Sequence, residues 1–471
     1  MRFRLVLALI FLPVSLLAAP QCQDVALPQR DGLDQRMTLT TLSNGLRVAV
    51  IEDHRFPVVS YRLLYQVGSV DEKPNEAGFA HLLEHLMFEA HGDHTIGEYA
   101  DQLRRIGGQF NASTNYLTTD YYATFPSRFW RAILELEAKR QQAPAITAKN
   151  VENQINTVLD EKLMRIDNMP YANALVKLAE SLFANTPYAH PVIGYEQTLK
   201  SATAASVRAF YQRNYGPNRA ILVIGGDIDR NEVLHAVREL FGSWQPVPER
   251  DPKIPSPETL FHPGDHRITD ERAPWPGYVV IHQLSHQEPT AYLQEKLMQL
   301  FTATASGFSR DPAITDSSYL AMQTVMYQKP LRLMILAVAP RAHISREAYL
   351  NRLHSWQTRL VHLLLTDPSW LCAAKMRRRV IIAELLDDIE QLVFTLSASW
   401  YRFDDPMHWW ALNDAFMALT PKEAARLLKD AFTQPVIFIE LQPGRWHLKW
   451  LKKLLEWLPQ SVTEEVESWV L

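Results

Sequence analysis

Ala77-Gly78-Phe79-Ala80-His81-Leu82-Leu83-Glu84-His85-Leu86-Met87-Phe88 is the stretch on which the reading of this chain turns. His81 and His85 stand four residues apart and Glu84 follows His81 by three, so a helix over Ala77–Ala90 projects all three from one face. Two neutral imidazoles and a carboxylate on one face suit a catalytic zinc, which needs nitrogen ligands and a base for its water. The order His-x-x-Glu-His is the inverse of the commoner zinc-peptidase signature and points to a metallopeptidase. On the pentad alone a competing reading stays open, in which the histidines sit on a helix that is only surface or core. The apolar neighbours Phe79, Ala80, Leu82, Leu83, Leu86, Met87 and Phe88 are suited to bury the rest of the helix and keep water from a metal.

A peptidase zinc takes a third protein ligand and leaves one position open. In the segment Ala148–Asn168, apolar Val151, Ile155, Val158, Leu159 and Leu163 recur at helical spacing. Gln154, Val158, Glu161 and Arg165 share one stripe of that helix, which lets Glu161 face a neighbouring element. Taken alone, Glu161 reads as a solvated helix carboxylate like Glu152.

Several short motifs then fall in a recognisable order: Ser43-Asn44-Gly45-Leu46-Arg47-Val48, Gly68-Ser69, the run from Gly78 to Phe88, Gly107-Gly108-Gln109-Phe110-Asn111-Ala112-Ser113-Thr114, Pro187-Tyr188, Pro191-Val192-Ile193-Gly194, Tyr215-Gly216-Pro217-Asn218 and Gly225-Gly226-Asp227. Over about Leu42–Asp227 the chain resembles the pitrilysin/insulin-degrading-enzyme family of inverted-zinc-motif metallopeptidases, in the manner of its short bacterial members similar to mitochondrial processing peptidase. The resemblance implies one zinc per chain, with His81, His85 and Glu161 as ligands and Glu84 as general base. Glu161 lies 76 residues after His85, close to the family's separation. It also implies that Asn111 and Ala112 run beside the cleft and bind the substrate backbone as an added strand. Without it, Asn111-Ala112 reads as an ordinary turn leading into a strand.

Two positions depart from the family's pattern. A supporting glutamate is usual seven residues before the ligand glutamate, and Gln154 stands there instead. In the C-terminal half the family often supplies an arginine and a tyrosine seven apart; Tyr319 matches the tyrosine, but Pro312 takes the arginine's place and Arg310 is the nearest arginine.

The chain has 471 residues, 47% of them hydrophobic, enough for more than one core. Six prolines in 245–264 mark a linker between an N-terminal unit (36–244) and a C-terminal unit (265–471). The first unit reads as strands over Arg47–Ile51 and Val58–Tyr65, the histidine helix, a helix over Thr95–Ile106, strands over Phe110–Phe125, helices, then a strand over Ala220–Ile224. In the second, Val279–Leu284 and Leu331–Val338 read as strands and Ala291–Thr304 as a helix. The fold class is α+β. The resemblance implies two homologous α/β-sandwich units, each an antiparallel-rich sheet covered by helices, the whole chain corresponding to one half of a clamshell around a chamber. No repeat between the halves is visible in the sequence by eye, and the second lacks His-x-x-Glu-His. The resemblance further implies a homodimer, or a heterodimer with a metal-free relative, acting on short or unfolded peptides.

Arg2 and Arg4 precede an apolar run over Leu5–Ala19, the form of a secretory signal (residues 1–22), too short for a comfortable span; the expected compartment is the periplasm. Cleavage nearby and retention as an anchor both remain open. Cys22 and Cys372 are the two cysteines, in no metal-binding spacing, and a bond between them is open. The formal charge of −4 argues against a nucleic-acid partner. Lys375 with Arg377, Arg378 and Arg379 reads as a solvated helix face, and Trp446, Trp450, Trp457 and Trp469 with Leu451, Leu454 and Leu455 as a packed amphipathic helix. Two functions follow: a zinc endopeptidase, or a non-catalytic scaffold or activating subunit of the same fold. Retention of His81, Glu84, His85 and Glu161 favours the enzyme.

Overall fold

In the computed structural model, residues 26–28, 32–89, 98–169, 171–249, 255–256, 260–270, 276–302, 314, 318–328, 331–340 and 344–443 are described. The signal segment 1–22 with Cys22, the residues Arg310 and Pro312, and the tryptophan-rich end lie outside them. Strands β1 (Met37–Thr41), β2 (Arg47–Glu52) and β3 (Val58–Tyr65) precede helix α1 (Phe79–Leu86). Strands β4 (Gln109–Thr114) and β5 (Thr119–Pro126), helices α2 (Trp130–Gln142), α3 (Ala148–Lys162) and α4 (Ala172–Leu182), and strand β6 (Ala220–Gly226) follow. The second half runs β7 (Gly264–Asp270), β8 (Gly277–Gln283), α5 (Thr290–Thr302), β9 (Ser318–Gln328) and β10 (Leu331–Pro340). It continues through α6 (Arg346–Thr366), α7 (Ser369–Asp387), α8 (Ile389–Phe403), α9 (His408–Ala418) and α10 (Pro421–Thr433) to β11 (Val436–Pro443).

Two sheets result, ordered β1-β2-β6-β3-β5-β4 and β7-β11-β8-β10-β9. With β1 set aside the two share one topology. β2 pairs parallel with β6 as β7 does with β11, and every other neighbour is antiparallel. The internal repeat hidden from inspection of the sequence is therefore plain in the strand order. It reaches one helix as well. α5 sits between β8 and β9 as α1 sits between β3 and β4, and Tyr292-Leu293-Gln294-Glu295-Lys296-Leu297-Met298 aligns with His81-Leu82-Leu83-Glu84-His85-Leu86-Met87. The leucines and methionine match because each helix lays them in its own core.

Central strands read as continuous apolar runs because both faces are covered. In β2, Val48 and Val50 enter one core, while Ala49 and Ile51 on the opposite face enter another. That second core is closed by the other half of the chain: Ile382 and Leu386 of α7, Leu392, Val393, Leu396 and Trp400 of α8, and Trp409 and Trp410 of α9. The exchange is reciprocal. Leu178 of α4, with Leu117 and Tyr188, covers the face of the second sheet formed by Val279, Leu333, Ile437 and Ile439. Polar ties reinforce the seam: Arg62 Nη1 donates to Ser397 Oγ at 3.1 Å, and Thr124 Oγ1 to Glu390 Oε2 at 2.7 Å.

The basic cluster on α7 differs from its expected solvated face. Lys375 is buried, and Arg378 turns inward, its Nε donating to Asn413 Oδ1 and its Nη2 to Tyr292 OH. Only Arg377 and Arg379 are exposed. Cys372 is buried.

Because Leu396 is fully buried in a core that both halves build, Leu396→Ala is expected to lower stability by about 2–5 kcal/mol. A fragment ending at residue 249 is expected to lose its sharp thermal transition. Circular-dichroism melts check both, and a fragment as cooperative as the full chain contradicts the reciprocal packing.

Candidate metal centre

Helix α1 begins where Gly78 adopts φ 98°, a left-handed conformation that glycine takes at no steric cost. Phe79, Ala80, Leu82, Leu83 and Leu86 bury one side of it, leaving His81, Glu84 and His85 partly exposed on the other. α3 is capped by Thr147, whose hydroxyl accepts from Asn150 N–H. Val151, Ile155 and Val158 fix its apolar face, and Glu161 lies near its end. A π-helical turn over Leu163–Asp167 continues it.

The two helices bring the residues named from sequence together. Glu161 Oε2 is 3.4 Å from His85 Nε2 and 3.7 Å from His81 Nε2, and the ligand atoms of the three lie within 4.8 Å of one another. Ligands bound at about 2.0–2.1 Å to a tetrahedral ion stand roughly 3.3–3.5 Å apart, so this donor set fits a zinc in spacing and in chemistry. Arg165 Nη1 holds the other oxygen, Oε1, at 3.0 Å, leaving Oε2 toward the imidazoles. Burial, with His85 beside it, pulls His81 down to about 4 against the opposing pull of Glu161, so its ring is neutral at physiological pH, as a metal ligand requires. Its Nδ1 is buried without a hydrogen-bond partner among the described residues.

His85 is oriented from behind. Its Nδ1 lies 3.2 Å from Gln154 Oε1, and Gln154 Nε2 donates to Glu89 Oε1 at 2.5 Å. The amide thus offers His85 an acceptor, and the negative charge expected at position 154 sits one residue further out, on Glu89. Glu89 was not among the residues singled out from sequence; its place four residues after His85 is the signal that points to it.

Glu84 stands beside the ligands. Its Oε2 accepts a 2.5 Å hydrogen bond from Thr114 Oγ1, on the same strand as Asn111 and Ala112. Burial pushes its carboxyl up to about 7; the Thr114 bond works against that shift, and the charges of Asp120 and Glu161 add to it. β4 is the outer strand of the first sheet, so Asn111 and Ala112 lie on an edge. Tyr319 lies on β9, the topologically equivalent edge of the second sheet.

Residues 47–196 match the family Insulinase (Peptidase family M16), and residues 201–310 match the Peptidase M16 inactive domain. The chain belongs to this M16, or pitrilysin, family of zinc metallopeptidases. An uncharacterized zinc protease of Mycobacterium leprae is 33% identical over 204 residues, 43% of this chain and 46% of the relative. Zinc protease PqqE of Helicobacter pylori is 28% identical over 218 residues, 46% of this chain and 49% of the relative. The matched stretch spans about half the length of these curated relatives. In fold, the chain is similar to a protease from Helicobacter pylori (TM-score 0.76, 20% identity, 86% of this chain and 99% of the other). It is similar also to the periplasmic protease PqqL from Escherichia coli (TM-score 0.68, 19% identity, 89% of this chain and 48% of the other).

The raised Glu84 carboxyl carries a sign. The native group keeps its proton to about pH 7, whereas the unfolded one releases it near 4.5. Between those values the native state binds more protons, so the unfolding free energy of metal-free protein falls as pH rises. Glu84→Gln, which stays neutral, is expected to melt above the wild type at about pH 8, the difference closing near pH 4.5. Thermal melts of metal-free protein at the two pH values test this; a difference independent of pH contradicts it.

Proposed function

We propose that this chain is a periplasmic zinc endopeptidase, entering by way of its signal segment, that cleaves peptides or unfolded segments. The observation that carries the reading is the approach of both histidine Nε2 atoms to one oxygen of Glu161, with the buried Glu84 alongside. His81, His85 and Glu161 hold one zinc per chain. When bound, that ion polarises the scissile carbonyl and acidifies the attacking water.

The remaining work belongs to the protein. Glu84 takes the water's proton and passes it to the leaving amine, and a carboxyl poised near neutrality is matched to both transfers. Thr114 fixes the carboxylate's orientation from the edge strand. The substrate backbone pairs with that strand at Asn111 and Ala112, which gives affinity with little sequence preference. Gln154 fixes the His85 ring, and Tyr319 contributes to substrate binding from the second unit. A chamber built by pairing two such halves supports a homodimer or a heterodimer with a metal-free relative as the working form. Resemblance in fold to a periplasmic protease and the leader-like segment support the compartment. Among the described residues no helix is long and apolar enough to cross a membrane.

A second reading, a non-catalytic scaffold or activating subunit, is favoured by Gln154 in place of a carboxylate. Metal analysis and turnover of a mixed quenched-peptide library decide between them. The enzyme is expected to carry zinc, and Glu84→Gln to keep it while losing about 10²–10⁴-fold in turnover. Zinc without Glu84-dependent cleavage, with or without a co-expressed partner, establishes the scaffold. Gln154→Ala is expected to weaken zinc binding by about 10–100-fold, and competition with a chelating dye measures it.

A further inference from the structure

We propose that Glu72 and His190 form a buried tether that positions the metal helix, and through it His81. The inference rests on the metal-centre reading and adds two positioning residues to it.

α1 starts without a side-chain cap of its own, since Gly78 occupies the capping position. The first amides of a helix need acceptors from elsewhere, and a neighbouring Ser, Thr, Asp or Asn is the usual source. Here the acceptor comes from six residues back. Glu72 Oε2 accepts from Gly78 N–H at 2.8 Å and Oε1 from Ala80 N–H at 2.7 Å. His190 Nε2 lies 2.8 Å from the same Oε2. The Glu72 side chain is 0% exposed. A carboxylate that deeply buried is tolerated only when its oxygens are satisfied, and two backbone donors with an imidazole do so. The negative charge also faces the positive end of the helix dipole.

A local cap would satisfy the same amides with less burial. Glu72 also fixes the helix relative to two other parts of the fold. On one side, Ser69 and Val70, just before it, donate their amides to Asn115 O and Tyr116 O in the β4–β5 connection. That connection follows directly on Thr114, which holds Glu84. On the other side, His190 begins the segment ending at Gly194, which packs backbone to backbone on the helix start. A Cβ at Gly194 (φ 78°) would lie 2.3 Å from Ala77 O, and one at Gly78 would lie 2.9 Å from Ile193 O. The tether thus sets the height and rotation of α1 against both the strand carrying Thr114 and the loop carrying His190. His81 follows Ala80 directly, so the last fixed amide is one residue from the first imidazole. A site that depends on sub-ångström placement gains from such support. It also gives a role to Pro191-Val192-Ile193-Gly194, a motif that the metal site itself leaves unexplained.

The test uses the full chain with Glu72→Gln, Glu72→Ala and His190→Ala. Amide hydrogen exchange over residues 78–83 is measured in metal-free protein, zinc affinity by competition with a chelating dye, and thermal stability alongside. Glu72→Ala is expected to speed exchange in that turn at least about tenfold and to weaken zinc by about 10–100-fold. His190→Ala should shift both in the same direction by less, and Glu72→Gln should recover part of each. A purely structural role would lower the melting temperature while leaving the zinc affinity of the folded protein unchanged, and affinities within twofold of wild type overturn the proposal. If Glu72→Ala does not fold, Glu72→Gln and His190→Ala carry the comparison. A wild type that takes no zinc defeats the metal reading instead; the exchange data then decide the tether, unchanged protection overturning it and lost protection supporting it.

Discussion

At the centre of this molecule, burial and like charges set His81, His85, Glu84 and Glu161 against one another. Two imidazoles, that of His81 kept neutral by burial, face a carboxylate oxygen at 3.4 and 3.7 Å, and a second carboxyl, Glu84, is buried next to them. Nothing in that group attracts its members strongly. Their approach is imposed by the packing of α1 and α3 on the first sheet, where rigid apolar contacts outweigh local electrostatic discomfort.

The second unit shows the same helix solved the other way. At the positions of His81, Glu84 and His85 it carries Tyr292, Glu295 and Lys296. Lys296 Nζ lies 2.9 Å from Glu295 Oε1 and 5.1 Å from the centre of the Tyr292 ring. Arg332 Nε approaches Glu295 Oε2 at 3.3 Å, and Arg378, on α7, donates to Tyr292 OH. The glutamate persists, but its counter-charges are covalently part of the chain. An ammonium and a guanidinium compensate it without any ion, and a tyrosine hydroxyl and a lysine leave no nitrogen lone pair for one. One helix frame therefore carries a donor set suited to an external cation in the first unit and an internal cation in the second. The reciprocal covering of the two sheets fits this history of a duplicated unit, each copy closing the other's core.

Much of this was legible in the residues. The histidine spacing places α1, continuous apolar runs place β2, β3 and β6, and Gln154 and Glu161 on α3, from one helical stripe, face α1 as its periodicity implies. What escaped notice was non-local. Glu89 and Glu72 look like surface acids in sequence because their partners, Gln154 and the amides at the helix start, meet them only once the chain folds. The repeat was hidden because strand order is conserved by backbone pairing, which tolerates almost any apolar residue. Likewise Arg378 sits in a run of charges that reads as solvated, and only the arrival of Tyr292 and Asn413 from distant elements turns it inward.

Thr114 joins the two functional halves of the first unit in one residue. Its backbone belongs to β4, the edge available to an added peptide strand, and its hydroxyl holds Glu84. Thr119, its cross-strand partner on β5, bonds Val67 O and so ties that end of the hairpin back toward β3. Under the proposed function, a peptide adding to the edge would register against a strand whose height is already fixed relative to Glu84. Affinity drawn from backbone pairing alone would let a substrate slide by two residues without loss. With Glu84 and the edge joined through one side chain, each register that pairs well would present a peptide bond at the same distance from that carboxyl. For the proposed peptidase, broad sequence tolerance and fixed chemical geometry would then follow from a single structural connection.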